Sequence, residues 1–88
     1  MRKKTFKDLR EFGEWLDKAL EKQNIITNDC LINYGDFDCW NKSGSTLSFD
    51  NLWFKVTNPT MAKKLIDFKE YLIKTCDIKI LNIDITIN

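Results

Sequence analysis

The sequence predicts one α+β domain, residues 1–88, in which two helices pack on one face of an antiparallel sheet. Two segments carry apolar residues at helical spacing, and three others alternate apolar with polar residues as half-buried strands do. The predicted order is helix, strand, strand, helix, strand, which gives a two-layer sandwich with three or four strands. A chain of 88 residues buries roughly 64% of its extended-chain surface on folding, enough for one small core.

The first helix is predicted over residues 5–23. Thr5 and Asp8 resemble a capping box at its start. An apolar stripe then follows at spacings of three and four, and it comprises Phe6, Leu9, Phe12, Leu16 and Leu20. Gly13 lies inside this helix, where glycine costs roughly 1 kcal/mol relative to alanine, and it suggests a close packing neighbour.

The second helix is predicted to begin after Asn58 and to run to about Thr75. Asparagine is a good N-cap, and Pro59 suits the first helical position because its missing N–H would have no partner there. The apolar stripe has spacings of four, three, four and four and comprises Met61, Leu65, Phe68, Leu72 and Cys76.

The segment between the helices predicts one long hairpin with its turn at residues 41–45. Centring the turn there pairs apolar residues throughout, as Cys39–Leu47, Phe37–Phe49, Tyr34–Leu52, Ile32–Phe54 and Cys30–Val56. The alternation slips once in each arm, at Gly35 and at Asn51, and this register places the two slips opposite each other. A matched pair of slips predicts a kink or paired bulge in the hairpin.

The third strand is predicted over residues 78–87. Ile83, Ile85 and Ile87 alternate with polar residues, whereas Ile80-Leu81 breaks the alternation and suggests a bulge. Asp84 is the only charged residue in 80–88, so an edge strand here has little to prevent pairing with another chain. The segment Asn82–Ile87 therefore predicts a homodimer interface.

The composition excludes several kinds of chemistry. The chain has no histidine, which removes Ser-His-Asp and Cys-His pairs and histidine-containing zinc sites. The net charge of +1 provides no overall attraction for nucleic acid or acidic membranes. Cys30, Cys39 and Cys76 all fall on apolar positions, predicting buried thiols. An odd number of cysteines without a signal-like N-terminus predicts a cytoplasmic protein, of the producing or a host cell.

The face of the hairpin turned away from the helices is the predicted partner-binding site. It comprises Asp36, Asp38, Trp40, Ser48, Asp50, Trp53 and Lys55. Exposed tryptophans beside carboxylates are typical of an interface with a basic protein surface. Two alternatives are that the kink moves the aspartates into a loop while the tryptophans are covered, and that the carboxylates hold Mg²⁺ or Ca²⁺. No calcium-loop spacing follows Asp36, and neither a metal nor a cofactor is expected.

The predicted function is a small non-enzymatic protein-binding module, a stoichiometric inhibitor that acts by steric occlusion. An immunity-type protein fits this description, as does a viral anti-defence protein such as an anti-CRISPR; that step is an analogy of size and chemistry. Metal-dependent phosphodiester chemistry is the main enzyme class left open. The alternative function is nucleic-acid binding through basic helix faces, carried by Arg2, Lys3, Lys4, Lys7, Lys63 and Lys64.

Overall fold

The structure is a computed structural model, and it describes residues 2–25, 33–35 and 39–87. Its elements are, in chain order, α1 (Leu9–Lys22), β1 (Asn33–Gly35), β2 (Asn41–Ser43), β3 (Thr46–Val56), α2 (Pro59–Thr75) and β4 (Ile78–Ile87). The predicted α+β class and the helix-strand order are confirmed, with β1 and β2 together forming the first arm of the hairpin. None of the helices in the described residues has the length and apolar character needed to cross a membrane.

Helix α1 begins later than the sequence predicts. Asp8 is its N-cap and accepts a 3.0 Å hydrogen bond from the Glu11 backbone N–H, so the helix starts at Leu9 and Thr5 lies outside it. Phe6 precedes the helix and folds back onto it, with its ring centroid 5.2 Å from that of Phe12 in an edge-on arrangement. The Asp8 carboxylate accepts a hydrogen bond from a backbone N–H of the first turn that has no partner within the helix. Thr5 lies too far upstream to reach this N–H.

The predicted apolar stripe of α1 is confirmed, whereas the predicted neighbour of Gly13 is not found. Phe12, Leu16 and Leu20 are buried, and Leu9 packs against the core more loosely. A Cβ built on Gly13 would have nothing within 4 Å. The glycine therefore weakens α1 without making room for another element.

Helix α2 begins and ends as predicted. The Asn58 side chain accepts a 2.9 Å hydrogen bond from the Met61 backbone N–H, and Pro59 occupies the first turn. The buried side of the helix consists of Met61, Ala62, Leu65, Phe68 and Leu72. Ile66 and Ile73, in contrast, are exposed on its flank.

The hairpin forms, but its register differs from the predicted one. Tyr34 faces Phe54 rather than Leu52, and Leu47 faces Lys42 rather than Cys39. The turn is tighter than expected, because Ser43 pairs with Thr46 around a two-residue loop.

Two features explain the difference in register. Gly44 lies in that loop with a φ of 60°, the left-handed conformation that glycine adopts readily and that two-residue hairpin loops require. The arm also has five residues between Gly35 and Asn41, against four between Ser48 and Trp53 on β3. A single register therefore cannot hold along the whole hairpin. The other pairs predicted for the hairpin, and Cys30, involve residues outside the described ranges.

Strand β4 pairs with β3 in parallel, whereas the sequence analysis expected antiparallel strands throughout. The hairpin itself is antiparallel. The difference follows from the connection: α2 carries the chain back along the sheet, so β4 starts beside the start of β3 and runs in the same direction. Two strands joined by a helix that covers one face of their sheet pair in this way.

The phase slips of β3 and β4 lie beside each other. Buried positions in β3 pass from Phe49 to Leu52, with Asp50 exposed between them. In β4 the half-buried positions pass from Ile80 to Ile83. The ladder lacks the pair Asp50–Leu81, but the offset between the strands is the same at Leu47↔Ile78 as at Val56↔Ile87. The irregularity predicted at Ile80-Leu81 is therefore matched by one in β3, and both strands change face together.

Both helices cover one face of the sheet. The inward residues of β3 meet α1 through the Phe12 and Phe49 rings, whose centroids are 5.4 Å apart. On β1, the Tyr34 hydroxyl donates a 2.7 Å hydrogen bond to Asp17 of α1. Burial, and then this hydrogen bond, raise the pKa of Tyr34 well above its usual range. The core is thus a single layer between the helices and the inward face of the sheet.

Replacing Gly13 with alanine is expected to stabilise the protein. Nothing in the structure obstructs the added methyl group, and alanine in a helix interior is favoured over glycine by about 1 kcal/mol. Chemical denaturation should show a higher midpoint with an unchanged slope. A Gly44→Ala variant is the matched control and should lower the midpoint, because the φ of 60° at that position disfavours a side chain.

Cys76 is expected to be chemically inert in the folded state, as the sequence analysis predicted for a buried thiol. Its side chain is buried, and burial raises its pKa from 9.0 to about 12. In a Cys30→Ser/Cys39→Ser variant, reaction with an aromatic disulfide reagent near pH 8 should be about a thousandfold slower than in denaturant, since only the thiolate reacts. Equal rates with and without denaturant would contradict this expectation. Cys39, unlike Cys76, is exposed, so the prediction of a buried thiol is wrong there.

Candidate partner-binding face

The candidate site is the side of the sheet opposite the helices, called the outer face here. Because side chains alternate along a strand, burial of one set of β3 and β4 residues against the helices turns the other set outward. The outer face comprises Ser48, Asp50, Trp53 and Lys55 on β3, and Lys79, Leu81, Asp84 and Thr86 on β4. None of the helices described lies over it.

The parallel register determines which outward side chains are neighbours. Ser48 lies opposite Lys79, and Trp53 lies opposite Asp84. The same offset places Asp50 beside Leu81 at the phase slip. Each charged residue of one strand therefore has an uncharged neighbour on the other strand, so the face avoids like charges directly opposite each other.

Trp53 presents a partly exposed indole with a defined orientation. Gly35 is its partner on β1, and a Cβ built on that glycine would lie 3.7 Å from Trp53 Cζ2. The indole thus extends across the glycine. The Trp53 ring also contacts Lys55, whose Nζ lies 5.2 Å from the ring centroid. This cation–π interaction contributes about 0.5–1 kcal/mol at an exposed site. These contacts hold the ring as a flat aromatic surface.

A shallow depression of about 190 Å³ lies at the phase slip. Its lining consists of Cys39, Asn41, Ser48, Phe49, Asp50, Lys79 and Leu81. Leu81 is 72% exposed, the largest exposed fraction among the large apolar residues described. The Ser48 hydroxyl donates a 2.9 Å hydrogen bond to Asn41 Oδ1 across the hairpin, which orders one wall. An apolar side chain therefore stands between a carboxylate and an ammonium group.

Trp40 lies immediately before β2 and is 45% exposed. It is absent from the residues that line the depression, so the structure does not bring it together with Asp50 and Leu81. Asp36 and Asp38 fall outside the described residues, and their position relative to Asp50 is not described. Of the seven residues predicted for the site, the structure brings Ser48, Asp50, Trp53 and Lys55 onto one strand face.

The described part of the face carries both signs of charge instead of the acidic character expected. It contains two aspartates, Asp50 and Asp84, and two lysines, Lys55 and Lys79. The sequence analysis left out Lys79, Leu81 and Asp84 because it considered the hairpin alone. The alternation from Ile78 and Ile80 was the available signal, since it turns Lys79 and Leu81 to the wet side of β4.

No group of three histidine, cysteine, aspartate or glutamate side chains in the described ranges is arranged to hold a metal ion. Asp77 is engaged at the hairpin turn, where its carboxylate accepts hydrogen bonds from the Ser45 and Thr46 hydroxyls. These two bonds hold the pKa of Asp77 below its usual value of 3.8. The carboxylate therefore ties the turn to the start of β4.

The basic residues of the alternative function fall into two separate groups. Arg2, Lys3 and Lys4 line a concavity of about 430 Å³ with Lys74 and Tyr71, near the end of α2. Lys63 and Lys64 lie near the start of α2, where Lys64 Nζ is 3.4 Å from the Asn24 carbonyl oxygen. The N-terminal group includes Lys74, which the sequence analysis did not predict, and it lacks three lysines that were predicted, Lys7, Lys63 and Lys64.

Comparisons with protein-family models, with curated proteins and with solved structures find no match to this chain.

Proposed function

We propose that the protein is a small non-enzymatic protein-binding module that inhibits its partner stoichiometrically, by occluding a surface of that partner with its outer face. The observation that carries the proposal is the exposure of Leu81, at 72%, beside the indole-bearing strand β3 on a face that no described helix covers. Contiguous exposed apolar side chains with a polar rim are typical of interaction sites.

The division of roles follows from the chemistry of the side chains. Leu81 and Trp53 are the proposed anchors, since a pre-oriented indole loses little conformational freedom on binding. Trp40 adds exposed aromatic area at the margin of the face. Asp50 and Lys79 flank Leu81 and would set the orientation of the partner through pairing with its charges. Asp36 and Asp38 stay in the proposal as carboxylates that meet a basic partner surface.

The proposed class is an immunity-type or viral anti-defence inhibitor, of which an anti-CRISPR protein is an example, acting in the cytoplasm of the producing or host cell. The chain has 88 residues and no histidine, which supports inhibition by surface contact rather than by a catalysed reaction. The class remains an analogy of size and mode of action.

The outer face is tested by a Trp53→Ala/Leu81→Asp variant. Proteins captured from the native host by the tagged wild-type chain are purified, and their affinities for wild type and variant are measured by calorimetry. Losing two anchors of about 2 kcal/mol each should weaken binding by roughly a thousandfold. Charge reversal at Asp50 should mainly slow association and alter its salt dependence.

A Tyr71→Ala variant is the matched control, because Tyr71 is an exposed aromatic residue on the helix side, at 43% exposure. Its affinity should stay within about twofold of wild type, as expected for a residue outside the interface. Circular dichroism should show that both variants fold. If the folded double variant binds its partner as tightly as wild type, the outer face is not the inhibitory surface.

The alternative function is nucleic-acid binding at the N-terminal basic group. The observation that favours it is the concavity shared by Arg2, Lys3, Lys4, Lys74 and Tyr71, since cations beside an exposed aromatic ring are a common arrangement for binding single strands. Lys7, Lys63 and Lys64 are less suited, because they lie outside this concavity.

Fluorescence anisotropy with mixed-sequence oligonucleotides at several salt concentrations tests the alternative. If it is right, Lys3→Glu/Lys74→Glu should weaken binding and reduce the slope of log K against log salt by about 0.7 for each lost phosphate contact. Lys63→Glu/Lys64→Glu carries the same charge change and should alter both quantities less. Salt-insensitive or undetectable binding of the wild-type chain would remove this function.

A further inference from the structure

Strand β4 has one paired edge and one open edge. Within the described residues it pairs with β3 alone. In a strand of L-residues, the face that a side chain takes fixes the edge to which the backbone N–H and C=O of that residue point. Leu47 faces the helices, and its N–H donates to the Asp77 carbonyl oxygen of the neighbouring strand at 3.2 Å, so residues of β4 that face the helices point to the open edge. Beyond the phase slip these residues are Ile83, Ile85 and Ile87.

The open edge has few of the features that prevent edge pairing. Residues 80–87 contain no proline and a single charge, Asp84, and the pairing with β3 is continuous from Asn82 to Ile87. Long regular edges of this kind are templates for another strand.

An apolar surface continues from this edge onto α2. Ile87 is 51% exposed, and Ile66 and Ile73 of α2 are 55% and 45% exposed. Tyr71 lines a concavity with α1 residues, and Ile66 and Ile73 lie on the other side of the buried stripe of α2, at helical spacing from it. The two isoleucines therefore face away from α1, toward the side of the open edge.

The pattern of β4 selects one antiparallel pairing with a copy of itself. A twofold axis at Asp84 would place two carboxylates directly opposite each other, which is unfavourable. An axis at Ile83 would oppose Ile85, on the helix side, with Leu81, on the outer face, although opposite residues share a face. An axis at Ile85 avoids both conflicts: Ile83 meets Ile87 of the second copy, and Asp84 meets Thr86.

We propose that β4 pairs with β4 of a second copy of this chain, antiparallel, about a twofold axis at Ile85. Ile85 then forms a hydrogen-bonded pair with its own copy, and Ile83 forms one with Ile87, which agrees with the direction of their backbone groups. The isoleucines of the helix side form a continuous row across the axis, and Ile66 and Ile73 of each α2 border it. The dimer joins two sheets into one and brings two outer faces onto a single surface, and it leaves Trp53 and Leu81 of each copy uncovered.

A cysteine scan tests the register. In a Cys30→Ser/Cys39→Ser background, Asp84→Cys mixed with Thr86→Cys should form a covalent heterodimer under mild oxidation, because the two positions face each other in a non-hydrogen-bonded pair with a short Cα separation. Neither variant should cross-link alone, since each position faces the other position of the pair. Absence of the mixed cross-link, or equal cross-linking by either variant alone, overturns the proposed pairing.

The solution mass tests the edge itself. Analytical ultracentrifugation of the wild-type chain should give a dimer at high concentration, and Ile87→Pro should give a monomer, since proline removes an N–H that points to the open edge. Ile87→Val keeps that N–H and a branched apolar side chain, and it should remain dimeric. A monomeric wild type, or a dimer that survives Ile87→Pro, overturns the proposal.

The two proposals fail separately. A folded Ile87→Pro monomer retains every residue proposed for the outer face, and it can still bind a partner. A Trp53→Ala/Leu81→Asp variant, in turn, retains the backbone of the open edge. Loss of dimerisation with intact partner binding would therefore overturn the dimer and support the outer face. Loss of partner binding with intact dimerisation would overturn the outer face and support the dimer.

Discussion

The parallel ladder between β3 and β4 is the constraint on which the rest of the structure depends. It makes β3 a central strand, paired with the hairpin arm on one edge and with β4 on the other. A strand paired on both edges has two faces left for side-chain contacts. Helices α1 and α2 cover one of these faces and form the core with it, and the other face is the outer face. The ladder also begins next to Asp77, whose contacts with Ser45 and Thr46 join the hairpin turn to β4. The helix layer, the outer face and the open edge all follow from this arrangement.

The shared phase slip gives the outer face its chemistry. Alternation from Ile78 and Ile80 turns Leu81 outward, and without the slip it would also turn Ile83 and Ile85 outward. Because β3 and β4 change face at the same level, an exposed Leu81 and an inward row of isoleucines occur in one strand, and the ladder keeps its offset on either side. Two asparagines occupy the slip, where Asn82 Nδ2 donates a 3.0 Å hydrogen bond to Asn51 Oδ1. This bond connects the strands at the level where the alternation changes, so an exposed apolar residue is held in a defined place.

The fold assigns its two candidate contact surfaces to different groups of atoms. The outer face offers side chains, led by Trp53 and Leu81, and selects a partner by shape and charge. The open edge of β4 offers backbone groups, which any strand can pair with, and the pattern of isoleucines and Asp84 restricts the pairing. A chain of this size thereby has one surface for a partner and another for its own copy, and a dimer would present the first surface twice.

The sequence by itself determined the helices, their caps at Asn58 and Pro59, the inward residues of β3 and the existence of the hairpin, because these depend on local spacing and on backbone chemistry within a few residues. It also indicated the phase slips, although it did not match the one at Ile80-Leu81 to the slip in β3. Only the tertiary structure decided the hairpin register, since apolar pairing favours a longer loop, whereas the two-residue loop at Gly44 sets Lys42 opposite Leu47. The direction of β4 was likewise decided in three dimensions, by the path of α2. Leu81 and Lys79 are part of the outer face because β4 pairs with β3. Paired residues of these strands are 31 positions apart in the chain, so no local periodicity in the sequence reveals that they are neighbours.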